Sequence, residues 1–333
     1  MKPAALRERS ADPLAGALAP IHRQLAVVSD HMLGELQDPV AKKVVYLITA
    51  GGKRLRPALV LLAGAAGGSK NERGLIAAAS AVELIHTATL IHDDIIDQSR
   101  LRRSQPSFHH RWGTERALLM GDYLYATAFS MLAGLREPYV MRVMAEVCQQ
   151  LCRGELREVE ARFRLNLKES EYFAIIEDKT ASLVGGCCRS GARLGGADEP
   201  TTERLGIFGV KFGLAFQIID DCLDLTGDLR QLGKPVLSDL DKGALSLPMI
   251  YLTQQLSARE RNRLFAPVKE RSADPAWLAQ IAQAARAAGT IEQAQARAQA
   301  LIQEALEAVA GIPMNGFAGA YQRLADYAIS RSS

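Results

Sequence analysis

The chain has 333 residues, 48% hydrophobic and 23% charged, a balance that fits a globular protein with a core of its own and excludes an intrinsically disordered one. The 40 Lys and Arg against 37 Asp and Glu leave a net charge of +3, too even for nucleic acid to be the partner. Five Cys, an odd count without zinc spacing, exclude a secreted disulfide framework and read as reduced thiols of a cytoplasmic protein, packed as small buried hydrophobes.

At the start, Arg7, Glu8, Arg9 and Asp12 interrupt the stretch where a secretion leader needs an apolar run. Nowhere do eighteen apolar residues stand together, so no transmembrane segment is expected; contact with a membrane while a greasy product is handed over stays open. Helical spacing dominates from there. Leu75, Ala79, Val82, His86 and Thr89 recur at three- and four-residue steps, as do Tyr123, Ala126 and Phe129 further on. Leu75 to Ile96 and Ile207 to Leu225 are apolar nearly all round, which predicts helices in the middle of a bundle. Ser257 to Ala310 is rich in good helix formers and reads as packing and dimer surface. Breaks fall at Gly51-Gly52, Gly67-Gly68, Gln105-Pro106, Glu137-Pro138, Gly195 to Pro200 and Thr226 to Pro248, none long enough to be a linker. No β-alternation stands out. The expectation is a single all-α domain spanning residues 1–333, of ten or more helices around central apolar ones.

One long echo exists within the chain. Leu90 to Asp97 and Gln217 to Asp224 are each an apolar helix ending in the pattern DDxxD. In such a pattern the first and last Asp are one turn apart on one face. Three crowded carboxylates with no Lys or Arg among them call for a multivalent cation, and oxygen-only ligands select Mg²⁺. Because Mg²⁺ takes one or two carboxylates and keeps other positions for phosphate oxygens, two such clusters imply a phosphorylated ligand between them. A single acidic helix end is as often a solvated surface; two that each follow an apolar run are harder to dismiss.

Cations accompany the clusters. Gly52-Lys53-Arg54-Leu55-Arg56-Pro57 puts three beside a permissive turn, with Pro57 suited to the first position of a new helix, and a helix start flanked by cations is an anion site. Arg102-Arg103 follows the first cluster closely, and Arg grips diphosphate oxygens bidentately. His86 stands two turns before Asp93 on a similar face; His92 points elsewhere.

Together these residues resemble the trans-isoprenyl diphosphate synthases, or polyprenyl synthetases. The phrases GGKRLRP, HTATLIHDDIID, LRR, GDYL, DKT, FQIIDD and LGKP occur in that family's order, and the motif-bearing region is 45–248. The resemblance implies an all-α isoprenoid synthase fold around a central cavity, usually dimeric, here a homodimer. It implies isopentenyl diphosphate held by Lys53, Arg56, His86 and Arg103, and the allylic diphosphate by Arg102, Lys179 and Lys234. Thr180 and Gln217 stand near the developing cation. Asp93 and Asp97 ligate two Mg²⁺ and Asp220 a third, about three ions in all, with Asp94, Asp221 and Asp224 supporting. One departure is plain: where many members carry Gly-Lys-x-Thr before a Leu-Pro, this chain has Gly243-Ala244-Leu245-Ser246, so the lysine is missing and Lys242, two residues earlier, is expected to be solvated.

The implied reaction is head-to-tail condensation giving an all-trans polyprenyl diphosphate. Short-chain relatives often place an aromatic floor near the first cluster, while Thr89 and Ala88 here are small, so a product of C30 or longer is expected. A floor supplied by the helix carrying Tyr123, Tyr125 and Phe129 is the alternative, as are a C15 or C20 synthase and a non-catalytic subunit of a heteromeric enzyme. Arg331 is expected to lie in a disordered tail, with a cap over the active site, as in relatives, the alternative.

Overall fold

The computed structural model describes residues 13–49, 52–103, 105–226, 238–267 and 274–331. Lys234, and with it the LGKP phrase, falls outside them. The helices run in order α1 (Pro13–Leu18), α2 (His22–Glu35), α3 (Val45–Thr49), α4 (Leu55–Ala66), α5 (Glu72–Ile96), α6 (Phe108–Trp112), α7 (Thr114–Gly134) and α8 (Pro138–Ala161). There follow α9 (Glu169–Ile176), a π-helical turn over Glu177–Ala181, α10 (Ser182–Gly195) and α11 (Glu199–Thr226). The remainder is α12 (Ser238–Asp241), α13 (Leu247–Gln255), α14 (Ala258–Leu264), α15 (Pro275–Ala287), α16 (Thr290–Val309) and α17 (Ala318–Ser330). The fold is all-α, as the periodicity indicates. The one sheet among the described residues is a hairpin of two residues a side, Leu101–Arg102 against Gln105–Pro106, too short for alternation to reveal.

Local chemistry sets the helix ends. Asn71 caps α5 by accepting from the Gly74 N–H at 2.9 Å, and Ser257 with Glu260 forms a capping box on α14. The start of α4 differs from expectation. It begins at Leu55, behind Arg54 in the left-handed conformation (φ 48°), so Pro57 is its third residue. Pro is tolerated there because the first-turn N–H groups have no helical acceptor in any case.

Three helices make the interior. α5 packs along α7, α10 lies against α4, α8 and α11, and α11 is covered by α16. The contact of α10 with α4 is backbone to backbone. A Cβ at Gly191 or Gly195 would stand 2.1 Å from the Val60 carbonyl oxygen or 2.2 Å from that of Gly64, so both positions exclude any side chain. α5 is the one described helix long and apolar enough to cross a membrane by composition, but most of it is buried inside the fold, as expected of a central bundle helix. The cysteines divide. Cys187, Cys188 and Cys222 are buried as expected, whereas Cys148 is half-buried and Cys152 exposed, because both stand on the outer flank of α8.

Candidate active site

The two carboxylate clusters close α5 and α11, and each middle Asp is buried. Asp94, 1% exposed, accepts from Arg102 of the hairpin, with Nε at 3.0 Å. Asp221 accepts from the Tyr172 hydroxyl at 2.6 Å and the Gln217 amide at 2.9 Å. Burial drives the Asp221 carboxyl well above its ordinary range and nearby Asp239 adds to this, against those two donors.

The outer carboxylates Asp93, Asp97 and Asp220 are only half-buried. Asp93 is partly exposed; burial lifts its carboxyl to about 7, with Glu155 and Glu158 adding to the rise and Lys179 and Arg102 opposing it. Asp97 accepts from Arg162 at 2.7 Å on one oxygen and from Lys242 at 2.8 Å on the other. Burial pulls this group up, but the hydrogen bond and charge of Lys242, then Lys179 and Arg162, outweigh it and hold Asp97 below its usual range. Asp220 pairs with Arg331, whose guanidinium also lies 4.2 Å over the Phe216 ring.

Between the clusters runs the π-helical turn. Its extra residue per turn sets Lys179 and Thr180 toward different partners: Lys179 pairs with Glu155 (2.7 Å) and Glu158 of α8, beside Asp93, while Thr180 donates to Gln217 at 3.0 Å on α11. Gly154 permits the approach, since a Cβ there would stand 2.5 Å from the Lys179 backbone nitrogen.

A basic pocket lies beside this, between the start of α4, the middle of α5 and the hairpin. Arg56 Nη1 is 3.0 Å from His86 Nε2. Burial, then Arg56, Arg103, Arg102 and Arg54, push the imidazole well below its usual range, so His86 is neutral near pH 7. Buried Glu83 anchors Arg54 at 2.6 Å, and Lys53 sits 5.0 Å over the Tyr327 ring of α17. Such a concentration of guanidinium around one neutral His, with Arg56 Nε enclosed and without an acceptor, is built for a polyanion.

A sequence model of the polyprenyl synthetase family matches residues 37–285. The chain belongs to that family. Heptaprenyl diphosphate synthase component 2 of Geobacillus stearothermophilus is 36% identical over 306 residues, 91% of this chain and 94% of that protein. Among solved structures, a polyprenyl synthase of Caulobacter crescentus, complexed with calcium and isoprenyl diphosphate, superposes with a TM-score of 0.91 at 30% identity, covering 98% of this chain and 100% of the other. A decaprenyl diphosphate synthase of Rhodobacter capsulatus gives 0.89 at 31% identity, with 96% and 98% covered. Membership makes the chain a prenyltransferase of the isoprenoid synthase fold.

Within this polyprenyl synthetase, the structure brings Arg56, His86, Arg102 and Arg103 together, with Arg102 also on Asp94 of the first cluster and Asp220 of the second near Arg56; Lys179 stands by Asp93 and Asp97, and Thr180 meets Gln217. Thr89 is half-buried on the stripe shared with His86 and Asp93, whereas Ala88 is wholly enclosed. Two expectations need correction. Lys242 is not a solvated charge but a partner of Asp97, and Arg331 ends an ordered helix against Asp220. Sequence reasoning also missed Glu83, Glu155, Glu158, Arg162 and Tyr172. For Glu155 and Glu158 a signal existed: two acids three apart on one face of α8, next to a glycine.

Proposed function

We propose that this polyprenyl synthetase condenses isopentenyl diphosphate with an allylic diphosphate, head to tail, into an all-trans polyprenyl diphosphate of C30 or longer. The observation that carries this reading is the π turn whose neighbours Lys179 and Thr180 address the first and second carboxylate clusters, with the Arg56–His86–Arg103 pocket alongside. One side of the site is arranged for metal-bound diphosphate and the other for a second diphosphate held by cations alone.

The donor set fits Mg²⁺. Every candidate ligand is a carboxylate oxygen, and a divalent cation beside Asp93 would offset the burial, and the nearby Glu155 and Glu158, that raise its carboxyl. Asp93 and Asp97 would hold two ions and Asp220 a third. Bound there, Mg²⁺ supplies the Lewis acidity that draws charge off the allylic diphosphate. Lys179 and Arg102 add fixed positive charge to the same leaving group. The C1–O bond breaks, the isopentenyl double bond attacks C1 to form the new C–C bond, and a proton leaves to the departed diphosphate. Arg56, Arg103, Lys53 and neutral His86 orient the second diphosphate for that attack. The Thr180 and Gln217 oxygens face the allylic cation, and the apolar walls of α5 and α10 keep water from quenching it.

Thr89 on the open stripe supports a long product, with half-buried Tyr125 of α7 the competing floor. The exposed Leu118 and Leu119 of α7 support a homodimer, and the free thiols a cytoplasmic setting. The relative named as a component of a heptaprenyl synthase favours one second reading, a chain that works with an unlike partner. Purified protein incubated with isopentenyl diphosphate, C5 to C20 allylic diphosphates and Mg²⁺, with Asp93→Ala as control, separates these outcomes by mass spectrometry. A ladder to C30 or beyond, lost in the variant, is expected. A stop at C15 or C20 overturns the chain length, and no product from any primer points to the unlike partner.

A further inference from the structure

The segment from α12 to Ala244 touches both carboxylate clusters at once. The Asp239 N–H reaches the Asp224 carboxylate at 3.5 Å, and Lys242 Nζ meets Asp97 at 2.8 Å. Its path is set by the backbone. Gly243, left-handed at φ 80°, accepts from the Phe163 N–H at 2.8 Å, and a Cβ there would lie 2.6 Å from the Phe163 ring, so only glycine fits. The neighbouring Arg162 takes the other Asp97 oxygen at 2.7 Å and keeps an enclosed Nε without an acceptor. Two cations thus share one carboxylate. That arrangement sets both cations against an anion only while Asp97 is not a metal ligand. Once Asp97 gives its oxygens to a divalent ion, Lys242 and Arg162 face a cation in place of an anion and need a new acceptor. Lys242 is the mobile one of the two, a point charge with three donors on a flexible stem.

We propose that Lys242 is a diphosphate-binding residue, held on Asp97 in the metal-free chain and transferred to a diphosphate oxygen when Asp97 becomes a metal ligand. The inference rests on the proposed prenyltransfer site. It also accounts for Ala244: this segment supplies its cation two residues early, from the other side of Gly243, and 242 and 244 are both half-buried.

Inorganic diphosphate is the probe, titrated calorimetrically into the full chain with and without saturating Mg²⁺. Wild type should bind it more tightly with Mg²⁺. Lys242→Gln should weaken the Mg²⁺-dependent binding about tenfold, and Lys242→Gln/Ala244→Lys should recover it to within about threefold. A merely structural lysine would not be rescued by a charge placed at 244. Lys242→Met keeps the stem and carries the same comparison if Gln disturbs the fold. Affinity in Lys242→Gln or Lys242→Met equal to wild type overturns the proposal while leaving the reaction intact. Wild type that fails to bind diphosphate with Mg²⁺ sinks the prenyltransfer reading itself.

Discussion

The two carboxylate clusters are near copies in sequence and differ in everything that surrounds them. At the end of α5 the middle Asp94 is neutralised by a charge, Arg102, and Asp97 by two more, Arg162 and Lys242. At the end of α11 the middle Asp221 accepts from neutral donors, Tyr172 and Gln217, and Arg331 stands on Asp220. Four residues before the first carboxylate the first helix has Thr89 and the second Phe216. A repeated motif therefore records a shared ligand chemistry, while its neighbours decide which copy carries charge, which tolerates neutralisation and which leaves room for a growing chain.

Activity should separate the copies most. Asp97→Ala should lower turnover about 10³-fold, and Asp224→Ala, at the matching position, about tenfold, measured with saturating Mg²⁺. Equal losses would erase the distinction between ligand and support. Stability separates the middle residues. Asp94→Asn leaves Arg102 without its counter-charge and should cost about 3–5 kcal/mol in denaturant unfolding. Asp221→Asn replaces a group already biased to its neutral form and should cost about 1 kcal/mol.

Protons give a third contrast, read on metal-free protein. Asp93 is lifted from 3.8 to about 7, so the folded chain holds a proton that the unfolded chain has released. The stability it contributes is full below pH 3.8 and is lost as pH rises toward about 7. Asp97 is lowered, so its contribution is present above its unfolded value and is lost as pH falls through the folded one. Melting curves between pH 5 and about 8 should show wild type losing ground to Asp93→Asn as pH rises, with no such trend against Asp97→Asn. The smallest change in rate, though not in product, concerns the residues one turn before each cluster. Thr89→Phe should shorten the product, and Phe216→Ala should leave its length alone; the reverse would move the floor to the second helix.

Much of this was legible in the residues. The helical class, α5 and α11 as central helices and both DDxxD ends follow from local spacing, whereas the Arg56–His86–Arg103 grouping came only with the family resemblance. What was not legible lies far apart in the chain. Asp97 meets Arg162 65 residues on and Lys242 145 residues on, and neither cation has a local feature that distinguishes it from a solvated charge. Tyr172 likewise reaches Asp221 across 49 residues, so only the packing of α9 on α11 discloses it. The π turn is hidden for another reason: one extra residue in a helix leaves periodicity almost unchanged yet swings Lys179 and Thr180 to different neighbours.

The pairing of Asp220 with a residue 111 positions later also has a consequence for biosynthesis. At ordinary rates of translation the second cluster leaves the ribosome on the order of ten seconds before Arg331 exists. Over that interval the nascent α11 carries Asp220 without the guanidinium that later pairs with it. The order of synthesis thus exposes the second cluster to the solvent first and brings its arginine last.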